Sequence, residues 1–243
     1  MLLARPGDTI ACSGAGSTGA DGASATTWTW THVTPSEGAP FTPSATARDA
    51  SYAVGEPGPE IVRLESGNAA GDACEPEWVQ TAVVDRSSEG LFIVIGWRAE
   101  ATGSPMGSRD VDVYLRRGET GLWRGSGTSV FWQQRAPTWT RGERLMNPVL
   151  VQDSIRDGGP EVLHVPSWFS EETFSVGVHY YTTTNNASAA PVLVDLLLVR
   201  DGRVVHRSEG VRLGGDQQFW HAVDFSGSSP TVTPVNAFSR FTE

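Results

Sequence analysis

No stretch of this sequence keeps apolar residues at positions i, i+3, i+4 and i+7 over ten residues without a glycine or proline intruding. Amphipathic helices are therefore excluded as its main building unit. What recurs instead is a short run rich in Val, Ile, Thr, Tyr and Trp, closed by Gly, Asp, Ser or Asn. Such runs are expected at Asp8 to Cys12, Thr26 to Val33, Ala50 to Val54, Glu60 to Glu65 and Trp78 to Asp85. They continue at Leu91 to Ala99, Val111 to Arg116, Ser129 to Gln134, Glu161 to Val165, Thr173 to Tyr181, Pro191 to Arg200, Arg203 to Ser208 and Gln218 to Asp224. At Asp201-Gly202, between two apolar runs, the pair supplies the positive φ values of a two-residue hairpin turn. Short strands with frequent turns predict an all-β chain of two consecutive antiparallel β-sandwich domains.

The boundary is expected in Asp85 to Gly90, a polar run between two strand-rich blocks. This gives a first domain over 1–86, a second over 87–226, and a Ser-, Pro- and Thr-rich extended tail over 227–243. Charge narrows the function. With 18 basic against 28 acidic residues the net charge is −10, which repels phosphate backbones and anionic lipid and argues against nucleic-acid partners. Every basic residue is arginine, so a Schiff-base lysine, a P-loop lysine and a Ser-Lys dyad are all excluded. No apolar run approaches the roughly 18 residues of a membrane-spanning helix, so no direct membrane insertion is expected. Met1 to Pro6 has no signal-peptide pattern. An extracellular or cell-surface location is nonetheless expected, with the export signal removed, because the modules are of extracellular style.

Gly14-Ala15-Gly16-Ser17-Thr18-Gly19 satisfies G-x-G-x-x-G. A dinucleotide site would need these glycines to open a helix, whereas Ala20 to Trp30 runs through another turn into an alternating strand, so an inter-strand loop is expected. Arg5-Pro6-Gly7-Asp8-Thr9 together with this loop resembles the opening of PKD domains. Trp28-Thr29-Trp30 and Pro57-Gly58-Pro59-Glu60-Ile61-Val62-Arg63-Leu64 fall where that family has its third strand and its P-G-x-Y-x-V-x-L strand. The family's W-D-F-G-D-G signature and V-T-D-x-x-G strand end are missing. The resemblance, over roughly residues 4 to 86, implies an immunoglobulin-like sandwich used as a spacer or interaction module. In such a sandwich Cys12 and Cys74 could meet at one end, and a disulfide closing about 60 residues would contribute roughly 4 kcal/mol. Two buried free thiols are the alternative.

Asp110-Val111-Asp112-Val113-Tyr114-Leu115 puts two carboxylates on one strand face while Val111, Val113 and Leu115 face a core. The loop from Asn147 to Glu161 adds Asp153, Asp157 and Glu161. Hard oxygen donors of this kind suit calcium, so Asp110, Asp112, Asp153, Asp157 and Glu161 form a candidate calcium set; solvated turn residues paired with arginines are the bland alternative. These segments, with Phe174-Ser175-Val176-Gly177-Val178-His179-Tyr180-Tyr181 and Gln218-Phe219-Trp220-His221, resemble a β-sandwich domain of bacterial surface and secreted proteins. That domain opens D-L-D-L-H-L, carries a D-rich loop ending G-P-E, and closes on V-G-V-H-Y-Y and a final W. The resemblance spans about 115 residues and implies no catalytic activity. In this chain the loop's dense Asp run is replaced by Gln152, Ser154 and Arg156.

His164, His179 and His221 read as core or edge histidines. Arg135, Trp139, Arg141 and Arg144 form the best candidate recognition loop. The function expected is a non-catalytic structural or adhesive module pair of a bacterial surface or secreted protein, binding a protein or cell-surface glycan. A carbohydrate-binding module using exposed tryptophans is the alternative. A calcium-dependent domain, or a hydrolase built on Asp110, Asp112 and Glu161, follows behind.

Overall fold

A computed structural model describes the chain except residues 36, 74–75, 85–89, 101–108, 119–120, 126, 140–146, 155–158, 166–171, 183–189, 216, 228–230 and 242–243. Every regular element among the described residues is a β-strand. The chain divides into two compact units, Met1–Arg86 and Ser87–Glu243.

The first unit contains β1 (Leu2–Ala4), β2 (Thr9–Ser13), β3 (Thr27–Thr34), β4 (Asp49–Ala53), β5 (Gly58–Asn68), β6 (Gly71–Asp72) and β7 (Glu77–Val83). One sheet runs β1-β7-β5-β3 with β6 on β5, and β2 pairs with β4 alone. Strand β2 alternates cleanly, so Ile10 and Cys12 are buried while Thr9, Ala11 and Ser13 are exposed. These inward residues join Trp30, Tyr52, Val62 and Leu64 in one cluster drawn from both sheets. The β1–β7 pair is parallel, a departure from the all-antiparallel expectation. Almost the whole unit lies between these strands, so no tight hairpin dictates their direction.

The glycine-rich segment is a loop between β2 and β3, as its context predicted. A Cβ at Gly14 would stand 2.5 Å from Trp28 Cδ1, and the Trp28 indole N–H donates to the Gly14 carbonyl at 3.2 Å. Gly14 therefore serves close packing of an indole against backbone.

The second unit contains β8 (Leu91–Ala99), β9 (Arg109–Arg117), β10 (Ser129–Val130), β11 (Val149–Gln152), β12 (Glu161–Val165), β13 (Thr173–Thr182), β14 (Val192–Arg200), β15 (Arg203–Leu213), β16 (Gln218–Ser226) and β17 (Val232–Arg240). They form two five-stranded sheets, β10-β9-β13-β16-β17 and β11-β12-β8-β14-β15. Inward side chains of both, including Ile95, Trp97, Val113, Val178, Leu196 and Trp220, form one hydrophobic cluster, so the sheets are layered. Strand β8 is buried from Leu91 through Trp97, on both faces. Asp201 and Gly202 have φ of 47° and 76°, the doubly positive turn expected for the β14–β15 hairpin.

Two expectations need correction. The extended tail expected over 227–243 is, in its described residues, largely a paired strand, because β17 pairs antiparallel with β16 from Phe225↔Val232 to Gln218↔Arg240. It is an edge strand, where Pro234 is tolerated, and its mostly exposed side chains leave little hydrophobic alternation to read. The strand expected over Ser129 to Gln134 stops at Val130, and Phe131 and Gln134 then exchange backbone hydrogen bonds across a tight turn.

Candidate functional site

Strand β9 dictates the geometry of the site. Its period of two sends Val111, Val113 and Leu115 into the core and Asp110, Asp112 and Tyr114 to the opposite face. Facing outward does not expose them, since Asp110 and Asp112 keep only 7% and 4% of their surface. On one side β9 pairs with β13 along its full length. On the other, β10 reaches only Leu115 and Arg116, which leaves the edge from Asp110 to Tyr114 beyond its reach.

Glu161 enters at that edge from the other sheet. It is the first residue of β12, wholly buried, and its Oε2 accepts a hydrogen bond from the Val113 backbone N–H at 2.8 Å. Gly159 positions this turn: its φ is +84°, and a Cβ there would lie 2.5 Å from Trp97 Cζ3, so the chain passes directly over the indole. As a result Asp110, Asp112 and Glu161 each place a carboxylate oxygen within 4.8 Å of the others.

The electrostatics follow from the burial. Asp110 is pushed up to about 7, first by desolvation, then by Asp112 and Asp153. Asp112 is raised by burial and partly relieved by His179. Glu161 is raised well above the usual carboxylate range by burial and then by Asp112, while the Val113 N–H opposes the shift. His179, buried on β13, faces Asp112 Oδ2 through Nδ1 at 3.7 Å and engages Gln217 Oε1 through Nε2 at 3.2 Å. Phe241 stacks on the His179 ring at 4.2 Å. Three carboxylates so placed cannot all stay ionised without a neutralising group, and must hold protons or a cation.

Of the other expected site residues, Asp153 stands beside the cluster, where its carboxyl is within hydrogen-bond reach of Glu161 and adds negative potential, and it lies 3.6 Å from Arg135 Nη1. Asp157, Arg141, Arg144 and Cys74 lie outside the described residues. Trp139 is 8% exposed, and belongs to the hydrophobic cluster beside Phe174. It therefore offers no indole face to a partner, a correction to its expected recognition role. The alternation around Pro137 gave no sign that this indole turns inward. Cys12 is a buried free thiol, pushed up to about 11 by burial. His164 stacks on Phe92 at 4.2 Å and His221 pairs with Asp224 at 2.7 Å, so neither joins His179. The place of His179 beside Asp112 was not anticipated, although the motif-bearing strand that carries it was.

No family model and no curated protein matches this sequence. Among solved structures, it is similar to the crystal structure of a quinonprotein alcohol dehydrogenase-like protein from Bacteroides thetaiotaomicron at 10% identity and a TM-score of 0.24. The match covers 99% of this chain and 60% of that one, so the chain spans less than two thirds of that neighbour's length. A likeness at that score carries no argument about fold or function.

Proposed function

We propose that the chain is a non-catalytic pair of β-modules from an exported bacterial protein, with a structural or adhesive role toward a protein or cell-surface glycan. The first is read as an immunoglobulin-like, PKD-type domain and the second as a surface-protein sandwich, on the motif resemblances in the sequence. The observation that carries the reading is the burial of the carboxylate cluster. Asp110, Asp112 and Glu161 keep at most 7% of their surface, and a general acid or nucleophile must reach a substrate atom at hydrogen-bond distance. A group sealed between strands acts on the fold instead. The carbohydrate-binding alternative is less well supported, because Trp30, Trp97, Trp139 and Trp220 are buried, while Trp132 alone among the described tryptophans is prominently exposed, at 39%.

The test combines a panel of chromogenic ester, glycoside and phosphate substrates with binding of the labelled chain to bacterial and host cell surfaces. Saturable surface binding without turnover is expected. Hydrolysis that disappears in Glu161→Gln would instead assign the cluster to catalysis.

A further inference from the structure

We propose that Asp110, Asp112 and Glu161 form a calcium site that ties the edge of β9 beyond the reach of β10 to the first residue of β12, and so joins the two sheets of the second unit. The proposal rests on the reading of this cluster as structural. It stands on two independent observations. The first is the co-facial pair on β9, whose ligand oxygens approach those of Glu161 within 4.8 Å. Two ligands of a single Ca2+, each at about 2.4 Å, lie at most about 4.8 Å apart, so the three oxygens stand within the reach of one ion.

The second observation is Glu161 itself. It comes from the other sheet, is wholly buried, spends Oε2 on the Val113 N–H and leaves Oε1 buried without an N–H or O–H donor, while the neighbouring Asp153 carboxyl can hydrogen-bond this side chain only if a proton is held between them. Asp110 Oδ1 is likewise buried without a hydrogen-bond partner. A wholly buried carboxylate oxygen with nothing to accept from is costly, and a cation shared with Asp110 and Asp112 satisfies all three groups together. The three donors of the cluster are all carboxylate oxygens, the ligand type that hard cations prefer. Asp153 raises the negative potential at the same place. Backbone carbonyls and water would complete the six to eight ligands that calcium takes.

The test uses the full chain, freed of metal by EDTA and dialysed. Calorimetric titration with CaCl2 should give one saturable site, and calcium at about 100 times Kd should raise the melting temperature by roughly 5–10 °C, with a much smaller rise from MgCl2. Glu161→Gln and Asp110→Asn should abolish the calcium shift while folding as well as the metal-free parent, because each removes a buried charge and keeps an oxygen acceptor. Asp224→Asn, away from the cluster, should keep the shift. Absence of calcium heat and of any shift in the parent overturns the proposal, as does a full shift in both cluster variants. Turnover of a chromogenic substrate would overturn the non-catalytic reading only, and leaves the calcium titration to be judged separately.

Discussion

Strands β2 and β9 both alternate in sequence, yet the two units use the alternation differently. In β2 the outward residues Thr9, Ala11 and Ser13 meet water. In β9 every residue from Asp110 to Arg116 is buried, so the outward face carries Asp110, Asp112 and Tyr114 into a second enclosed layer. That layer is aromatic, with Tyr114 stacked on Phe131 at 5.4 Å and meeting Phe219 at 6.0 Å. The contrast shows that a side chain's direction is local, whereas its solvation depends on what the rest of the domain places over it. The outward residues of β2 remain ordinary surface groups for this reason, and the outward carboxylates of β9 become perturbed ones.

The largest test of this contrast is in the cores. Trp97→Ala removes a fully buried indole and should destabilise the protein by about 3–5 kcal/mol. Trp28→Ala removes a half-buried one and should cost clearly less. Urea denaturation of both variants checks the order, and equal costs would break the comparison. Next come the close approaches of the second unit. A Cβ at Gly177 would meet Phe219 Cζ at 2.1 Å, so Gly177→Ala should destabilise by about 1–3 kcal/mol. Gly16→Ala in the first unit, with nothing within 4 Å but a φ of +95°, should cost about 1 kcal/mol.

The pH dependence separates the units by sign. Asp110 is raised to about 7 in the folded chain, against about 3.9 unfolded. The folded state therefore binds more protons between these values, and the metal-free second unit loses stability as pH rises from about 4 to about 7. Asp112 and Glu161 shift the same way. In the first unit Asp21 is lowered by its hydrogen bond from Asn68, and Asp49 by those from Ser13 and Arg48. Their contribution is present above the ordinary carboxylate range, is lost as pH falls below it, and is small because both are fully exposed. Melting the EDTA-treated chain from pH 4 to 8 should show the falling trend, and Asp110→Asn should flatten it. A melt that only improves toward neutrality would contradict the buried cluster.

The smallest effect concerns Cys12. Its thiol, buried and raised to about 11, should resist iodoacetamide at pH 8 in the native chain and react on unfolding, as followed by peptide mass. A Cys12–Cys74 peptide in a non-reducing digest would instead establish the pairing that the PKD resemblance implied.

Most strands of both units were legible, because Val, Ile and aromatic alternation between Gly- and Asp-rich turns is a local signal. The Asp201-Gly202 turn was legible for the same reason. Strands β1, β6, β11 and β17 lack that signal: β1 and β6 are very short, the four residues of β11 lie within the segment expected as the Asn147 to Glu161 loop, and β17 is an edge strand with an exposed face. Trp139 was misjudged because polar neighbours suggest a surface loop, while its burial comes from distant Phe174 and the core cluster. For the carboxylates, the co-facial placing of Asp110 and Asp112 follows from period two, whereas Glu161, at the end of the acidic loop and the head of its strand, is grouped with them by residue type alone, since no local signal sets its distance from β9.

The sequence by itself determined that the chain is all-β, where most strands and turns fall, and which β9 residues share a face, because these follow from backbone geometry over a few residues. Only the tertiary structure decided that β10 covers Leu115 and Arg116 and stops there, that Glu161 crosses from the other sheet to Val113, and that the outward carboxylates lie out of water. Those outcomes depend on residues tens of positions apart meeting in space, and no local period encodes such meetings.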